Sequence, residues 1–348
     1  MARTSKHIGR AGACCLAALL LLGSCGSVEQ LSIDYMLPGD VTIPTAMKRV
    51  GVVNNVPDSV RMQPGSLSVV ATEALAEALG AQNYFDEVVI CDSALRADDS
   101  YLRAHTLTAH EVDNLVDGLD VDLIISLENL RIVPRRSITR IDAEVYAASL
   151  DVSVFTTTNV YVPDRNRPLA IVHAVDSIFW EEYAGEPNQA IQQLIGDEEM
   201  QQQAATFAGS VPMKHLLPYW KQGDRYFYAG GSVNMRDAAY HARRHEWDKA
   251  IALWLQEYEQ NKLKRKMQAA YNLALGYEMQ DSIATAEAWA LKAQDAAYQL
   301  DKVEEKKGRG QIDPLEVPHF IEAARYAAEL TERREGLPRL NAQMERFH

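Results

Sequence analysis

The spacing of apolar residues changes near residue 187, and this change limits the fold more than any other feature of the sequence. Between residues 48 and 179 most apolar segments are short continuous runs or alternate with polar residues, as in β-strands, with helical spacing at 67–79 and 108–116. From Pro187 onward they recur every three to four residues, as on one face of a helix. The sequence therefore predicts an α+β chain in which a mixed sheet domain precedes an all-helical domain.

The first part of the chain alternates predicted strands and helices. The predicted elements are a strand at 48–56, a helix at 67–79, a strand at 85–91, a helix at 108–116, a strand at 121–132, and two hairpin strands at 142–162 and 169–179. Gly80 is expected to end the first helix as its C-cap. The order predicts a mixed sheet flanked by helices, in a sandwich of two or three layers.

The N-terminus has the three parts of a bacterial export signal. A basic start is followed by an uncharged apolar run over residues 11–22, which is too short to span a bilayer as a helix. The stretch Leu-Gly-Ser-Cys that ends at Cys25 resembles the lipobox of bacterial lipoproteins, which implies cleavage before Cys25 and acylation of its thiol. An ordinary secretory signal and an uncleaved anchor are the alternatives. After cleavage Cys91 is the remaining cysteine, expected as a small buried residue.

Charge and motifs exclude several classes of function. The formal net charge of -13 disfavours nucleic acid and anionic lipid as partners. No phosphate-binding loop, dinucleotide fingerprint, serine elbow or paired metal-cysteine motif is present, so we expect no cofactor and no catalytic residue. His241 and His245 are spaced for a metal site, but the arginines between them would repel a cation, which favours a solvated helix face.

The C-terminal third contains small and aromatic residues at the spacing of the tetratricopeptide repeat. One set of seven positions matches it: Ala270, Leu273, Ala274, Tyr277, Ala286, Ala290 and Ala293. A weaker copy precedes it at a 36-residue offset, with Ala238, Ala250 and Trp254. An ordinary helical hairpin is the alternative. If the repeat is real, its aromatic side chains are candidates for binding a protein partner: Tyr240, Trp247, Trp254, Tyr271 and Tyr277.

Two other stretches are candidate surfaces. Arg131, Arg135, Arg136 and Arg140 form a basic concentration after the signal, expected in a loop, where they either meet an acidic partner or are simply solvated. The aromatic run between Tyr219 and Tyr228 is expected to pack as a wedge between the two domains, with a ligand groove as the alternative.

Several stretches of the first part resemble a known sheet domain. They are Lys-Arg-Val-Gly-Val-Val at 48–53, Leu-Gly at 79–80, Phe-Asp-Glu-Val-Val at 85–89 and Asp-Val-Asp-Leu-Ile-Ile at 120–125. This order resembles the domain shared by the curli-secretion lipoprotein, the penicillin-binding-protein-activating lipoproteins and the N-terminal domain of the Tol-system propeller protein. No catalytic residue comes with that resemblance.

Residues 27–38 and 49–55 resemble a family of uncharacterised Bacteroidetes lipoproteins, which carry a sheet domain followed by tetratricopeptide-like helices. The signal motif and the strand and helix patterns together predict a signal peptide at 1–24, a lipidated tether at 25–45, a sheet domain at 46–185, a helical connector at 186–232 and a helical domain at 233–348, an architecture that agrees with this resemblance. We expect a non-enzymatic scaffold or assembly factor, anchored in the outer membrane through lipid on Cys25, facing the periplasm and binding a protein partner. An envelope hydrolase with a site in the sheet domain is the alternative.

Overall fold

The computed structural model describes residues 28–57, 67–91, 94–96, 106–260, 262–308, 310 and 312–347. The predicted export signal and Cys25 lie outside these residues. The chain divides into two compact units. The sheet unit consists of Met36–Tyr219 and Pro338–His348, and the helical unit consists of Trp220–Leu337 and the described residues up to Tyr35. A sheet region followed by a helical region is the order that the sequence predicts.

Five strands in the order β3-β2-β4-β5-β6 form the sheet of the sheet unit. Their bounds are β2 Arg49–Asn54, β3 Glu87–Ile90, β4 Leu123–Arg140, β5 Tyr146–Tyr161 and β6 Ala170–Ala184. Strand β2 is parallel to β3 and β4, whereas β4, β5 and β6 are antiparallel. The predicted mixed sheet and its long hairpin are therefore confirmed.

Helices cover the two faces of this sheet unequally. The helices are α1 Leu67–Ala81, α2 Ala109–Leu119, α3 Pro187–Gln193, α4 Asp197–Ser210 and α5 Met213–Leu216. One face packs on α1 and α4 through the largest apolar core of the unit. On the other face α2 covers only the region around Val53 and Ile124. The unit thus has three layers at its parallel end, while the antiparallel strands extend beyond α2.

Glycine at position 209 lets α1 and α4 pack closely. A Cβ atom added to Gly209 would lie 2.5 Å from the carbonyl carbon of Ala74, closer than any real contact. Gly80, in contrast, lies inside α1 and does not end it, since the helix continues to Ala81. The left-handed residue after that helix is Asn83, whose φ of 50° is tolerated because asparagine enters the left-handed region more readily than most residues.

The helical unit contains two antiparallel pairs of helices: α6 Val233–Arg243 with α7 Trp247–Gln260, and α8 Leu263–Glu278 with α9 Ile283–Leu300. Alanine at 238, 250, 270, 286 and 290 is buried, which allows the helices to approach closely as the spacing predicts. A short helix, α10 Val303–Lys307, and the long helix α11 Pro318–Met344 follow. The helices are confirmed, while their assignment as tetratricopeptide repeats stays a prediction.

Two strands that the sequence did not predict as a pair form a separate sheet. β1 covers Val28–Leu37 and β7 covers Tyr219–Tyr228, and they are neighbours. The expectation of a tether at 25–45 is wrong from Val28 onward, and the connector at 186–232 is not wholly helical. Both errors have one cause: strands about 190 residues apart leave no local sequence signal for their pairing.

The last turns of α11 belong to the sheet unit and not to the helical domain predicted at 233–348. The side chain of Gln343 is buried and accepts a hydrogen bond from the Gly39 amide at 3.1 Å. It also donates to the carbonyl oxygens of Gly39 and Val41, at 3.0 and 2.7 Å. Nearby, the Arg346 guanidinium lies 3.8 Å from the ring centre of Tyr84. These contacts tie the C-terminus to the start of the sheet unit.

Candidate functional site

Most of the aromatic residues predicted to bind a partner lie in the core of the helical unit. Trp254 is 0% exposed, and Trp247 and Tyr271 are also buried. Tyr277 is half-buried, and Tyr240 is exposed. The prediction was wrong for the three buried residues because helical spacing identifies a face without telling whether that face points inward or outward.

The aromatic run of β7 packs within the helical unit over its last three residues. Tyr226 stacks on Tyr271 with ring centres 4.5 Å apart, and Tyr228 meets Tyr271 edge-on. Burial raises the pKa of all three tyrosines above the ordinary value, so they stay neutral. Beside them lies an open depression of about 290 Å³, which Val28 and Glu322 also line.

A buried charged cluster holds β7 against the helices. Arg225 donates to the Glu278 carboxylate at 2.9 and 3.0 Å, and the Tyr326 hydroxyl donates to it at 2.6 Å. Arg333 also donates to Glu278, while Glu329 pairs with Arg225 at 2.9 Å. Burial alone would lower the pKa of Arg225, but hydrogen bonds and the charge of Glu278 outweigh it and raise that pKa. Because these groups satisfy each other, we assign the cluster a structural role.

His241, one of the two histidines considered as a metal site, contacts a carboxylate of its own unit instead. His241 contacts the Glu246 carboxylate at 2.7 Å through Nδ1. Hydrogen bonds from His241, Lys249 and Arg244 lower the pKa of Glu246 to about 2. Across the part of the chain that the structure describes, no group of three or more histidine, cysteine and acidic side chains could hold a metal ion.

The arginine cluster lies on strand β4 and not in the predicted loop. Arg136 pairs with Asp197, and Arg140 donates to the carbonyl oxygens of residues 142 and 143. Arg131 lies 4.1 Å from the ring centre of Phe155. Arg135 stands opposite Asp151 in the strand register. Acidic, aromatic and carbonyl groups are therefore interspersed with the cluster, which does not form a uniformly basic patch.

The antiparallel strands present a broad face to solvent, here called the outer face. It consists of the odd-numbered residues of β4 from 131 to 139, of β5 from 149 to 157 and of β6 from 171 to 183. Its most exposed apolar side chains lie on β6, at Ile171, Val175, Phe179 and Tyr183. Phe179 is 69% exposed. Such exposure means that no described element covers this stripe, in which the apolar residues alternate with His173, Ser177 and Glu181. Exposed apolar surface rimmed by polar residues typically marks an interaction site.

This stripe could be found from the sequence through strict alternation. Residues 171–183 place Ile, His, Val, Ser, Phe, Glu and Tyr on one side of a strand. The even-numbered residues at the start of the strand, Val172 and Ala174, are buried instead. The missing information was which side the helices α3 to α5 cover, because both sides of β6 carry apolar residues.

A second candidate site lies at the carboxyl ends of the parallel strands. A cavity of about 330 Å³ is lined by Asn54, Thr72, Glu73 and Cys91, among others. Cys91 is half-buried there and is not a fully buried core residue as expected. β2 and β3 are parallel neighbours, so the cavity lies at their carboxyl ends beside α1, and not in the crevice between β2 and β4 where the strand order reverses.

Buried polar residues lie on β4 and β5 in the same unit. The Glu128 carboxylate accepts hydrogen bonds from Asn55 at 2.6 Å and from the Tyr161 hydroxyl at 2.9 Å. Arg96 donates to the Asn55 side-chain oxygen at 2.8 Å. Burial raises the pKa of Glu128, against the opposing effect of these hydrogen bonds, and it raises the pKa of Tyr161 to about 12. The cluster ties β2 to β4 and β5.

No described helix combines the length and apolar character needed to cross a membrane. The comparison with curated proteins gives no match. Among solved structures, a protein of Caulobacter crescentus CB15 described as a lipoprotein is 11% identical, covers 49% of this chain and 85% of its own, and has a TM-score of 0.19. Rare lipoprotein B from Shewanella oneidensis is 16% identical, with 46% and 89% covered and a TM-score of 0.20. Scores this low carry no argument about the fold.

Two family descriptions match the sequence, and both are domains of unknown function. One, DUF6340, covers residues 236–332, which lie in the helical unit. The other, DUF8603, covers residues 47–228, from the start of the sheet unit to the end of β7. The latter match spans more than half of the chain, and the protein therefore belongs to the family described as Domain of unknown function (DUF8603).

Proposed function

We propose that this protein is a lipid-anchored scaffold or assembly factor of the cell envelope, which binds a protein partner and catalyses no reaction. The outer face carries this proposal. It combines exposed apolar side chains on β6 with Arg135, Asp151, His173 and Glu181, a mixture typical of protein interfaces. We propose the sheet and not the helical repeats as the partner surface, because three of the five aromatic residues that the sequence offered for partner binding are buried.

The anchor is supported by the sequence before the described residues. An export signal ending in Leu-Gly-Ser-Cys25 implies acylation of Cys25, and two or more acyl chains suffice for stable membrane attachment. The first described residue, Val28, follows Cys25 by three residues, and three residues span at most about 11 Å. The anchor would thus hold the start of β1 close to the bilayer. We place the protein in the outer membrane, facing the periplasm.

The first experiment tests the anchor. Cells expressing wild type or Cys25→Ala are labelled with radioactive palmitate and then fractionated. We expect label and membrane attachment in the wild type and neither in the variant, and retained label in the variant contradicts the lipoprotein assignment. Protease treatment of intact cells tests the orientation, since prompt digestion excludes a periplasmic location.

The second experiment tests the partner surface. A photo-cross-linking amino acid at Phe179 is expected to capture one envelope protein in stoichiometric amount. A second substitution, Val175→Asp, should abolish this capture because it places a charge in the apolar stripe. Leu315→Asp is the matched control, since Leu315 is 86% exposed but lies in the helical unit. Equal capture in both variants, or no capture at all, contradicts the proposal.

An envelope hydrolase is the second candidate, and the cavity at the carboxyl ends of β2 and β3 favours it. Glu73 supplies a carboxylate and Cys91 a thiol at its wall. Purified protein is tested on envelope polymers with Glu73→Gln and Cys91→Ala as the variants. An activity lost in either variant would reverse the ranking of the two functions.

A further inference from the structure

Strand β6 is a long unpaired edge of the five-stranded sheet. It pairs with β5 along its whole length, from Ala170 to Ala184, and no strand lies on its other side among the described residues. The opposite edge strand, β3, has only four residues. Natural edge strands are usually protected by proline, lysine, a bulge or shortness, because their free backbone groups invite pairing with another chain. β6 has 15 residues and contains neither proline nor lysine.

On the outer face, the sequence of β6 is complementary to itself. When two copies pair in antiparallel fashion about a twofold axis at Ser177, directly opposite residues have numbers that sum to 354. Ile171 then faces Tyr183 of the other copy, and Val175 faces Phe179. His173 faces Glu181, which places a basic group opposite an acidic one twice in each dimer. On the other face, in contrast, the same register places Glu182 opposite Val172 and Asp176 opposite Ile178. Cross-strand apolar pairs and opposite charges are the contacts that stabilise antiparallel strands.

Shifting the twofold axis away from Ser177 no longer pairs both the apolar and the charged residues of the outer face. Moving the axis to residue 176 places Ile171 opposite Glu181 and His173 opposite Phe179. Moving it to residue 179 places Ser177 opposite Glu181 and leaves His173 beyond the paired segment. The register about Ser177 matches both the apolar and the charged positions, as an isologous interface requires.

We propose that two copies of this chain pair through β6, with the twofold axis at Ser177, so that one sheet continues through both sheet units. The outer faces of the two copies then lie on the same side of the joined sheet. The two apolar stripes adjoin, and the exposed apolar surface of β6 becomes the centre of one larger surface. This dimer is independent of the partner proposed above, although it would enlarge the surface offered to that partner.

A disulfide test measures the register directly. Ser177→Cys in the mature chain is expected to form an intermolecular disulfide on mild oxidation, since the two cysteines face each other across the axis. Ser153→Cys is the control, because residue 153 lies beside Ser177 on β5, one strand inward. Its two copies would be separated by three strand spacings, about 14 Å, which no disulfide bridges. Equal cross-linking of the two variants, or none in either, contradicts the proposal.

A charge exchange tests the pairing without relying on cysteine. Analytical ultracentrifugation of the mature wild type is expected to show a dimer. His173→Glu puts like charges opposite each other at two positions and should raise the dimer dissociation constant by about two- to thirtyfold. Adding Glu181→Lys to His173→Glu should restore wild-type association. A monomeric wild type, or a double variant no better than the single one, overturns the inference.

The dimer and the proposed function can fail separately. If the wild type is monomeric but a cross-linker at Ser177 captures another protein, β6 pairs with that partner and the dimer is wrong. If the dimer forms and the cross-linker at Phe179 captures only a second copy of this chain, the dimer stands and the scaffold function loses its support.

Discussion

Replacing Glu278 with alanine removes the shared acceptor of the charged cluster in the helical unit. Its carboxylate accepts four hydrogen bonds, two from Arg225 and one each from Tyr326 and Arg333. Only 4% of the Arg225 side chain is exposed, so water cannot replace the lost acceptor. Glu329 remains on Arg225, but it contacts a different nitrogen. The variant therefore leaves a buried guanidinium and a buried hydroxyl without their main partner.

The expected loss of unfolding free energy is about 3–5 kcal/mol, the usual cost of removing one partner from a buried ion pair. Glu278→Gln keeps the shape and one acceptor oxygen but loses the charge, so we expect a smaller loss of about 1.5–3 kcal/mol. Glu305→Ala is the matched control. Glu305 pairs with Lys302 at the surface, with more than half of each side chain exposed, and such pairs contribute about 0–1 kcal/mol.

Urea unfolding followed by tryptophan fluorescence measures these differences. Four of the five tryptophans lie in the helical unit, and Trp180 is the one in the sheet unit. Trp180→Phe as a common background therefore makes the signal specific to the helical unit, which matters because the two units can unfold separately. A loss below about 1 kcal/mol for Glu278→Ala, equal to that of Glu305→Ala, would refute the view that this cluster stabilises the unit.

Three further predictions concern the sheet unit. Gly209→Ala should lower the stability of the sheet unit by about 1–3 kcal/mol, because the new methyl group meets the backbone of α1. Gly80→Ala, with open space around it, should raise stability by up to about 1 kcal/mol. Thermal unfolding compares the two variants, and equal effects would refute the close contact at Gly209. Glu128→Gln should reduce the pH dependence of stability. Because the pKa of Glu128 is raised in the folded state, this carboxyl ionises at lower pH in the unfolded state, and the wild type loses stability relative to the variant as pH rises above about 4.5. Urea titrations between about pH 4 and 8 would detect the difference. Parallel pH profiles of the two proteins would contradict this prediction. Gln343→Leu should lower the free energy of unfolding by about 2–5 kcal/mol, because it leaves backbone groups of Gly39 and Val41 without their hydrogen-bond partner. An unchanged melting temperature would exclude a stabilising role for Gln343.

The sequence by itself determined the local elements of this protein. The apolar run of β2, the helix α1 and the alternating strands β5 and β6 are each specified by a period of 2 or 3.6 within a short window, so their type follows without knowledge of their neighbours. The alanine spacing determined the helical pairs in the same way. The proposed acylation of Cys25 also rests on local sequence alone, because export and acylation signals are linear.

The tertiary structure decided which faces are buried and which distant segments pair. Trp254 was assigned to a binding surface and lies in the core, whereas Phe179, on a predicted strand but assigned to no surface, is exposed. β1 pairs with β7, and Gln343 bonds to Gly39, across separations of about 190 and 304 residues. Periodicity reports that a segment has an apolar side, but only packing determines what covers that side. Pairing between distant segments leaves no trace in local spacing, because its energy comes from contacts that exist only in the folded chain.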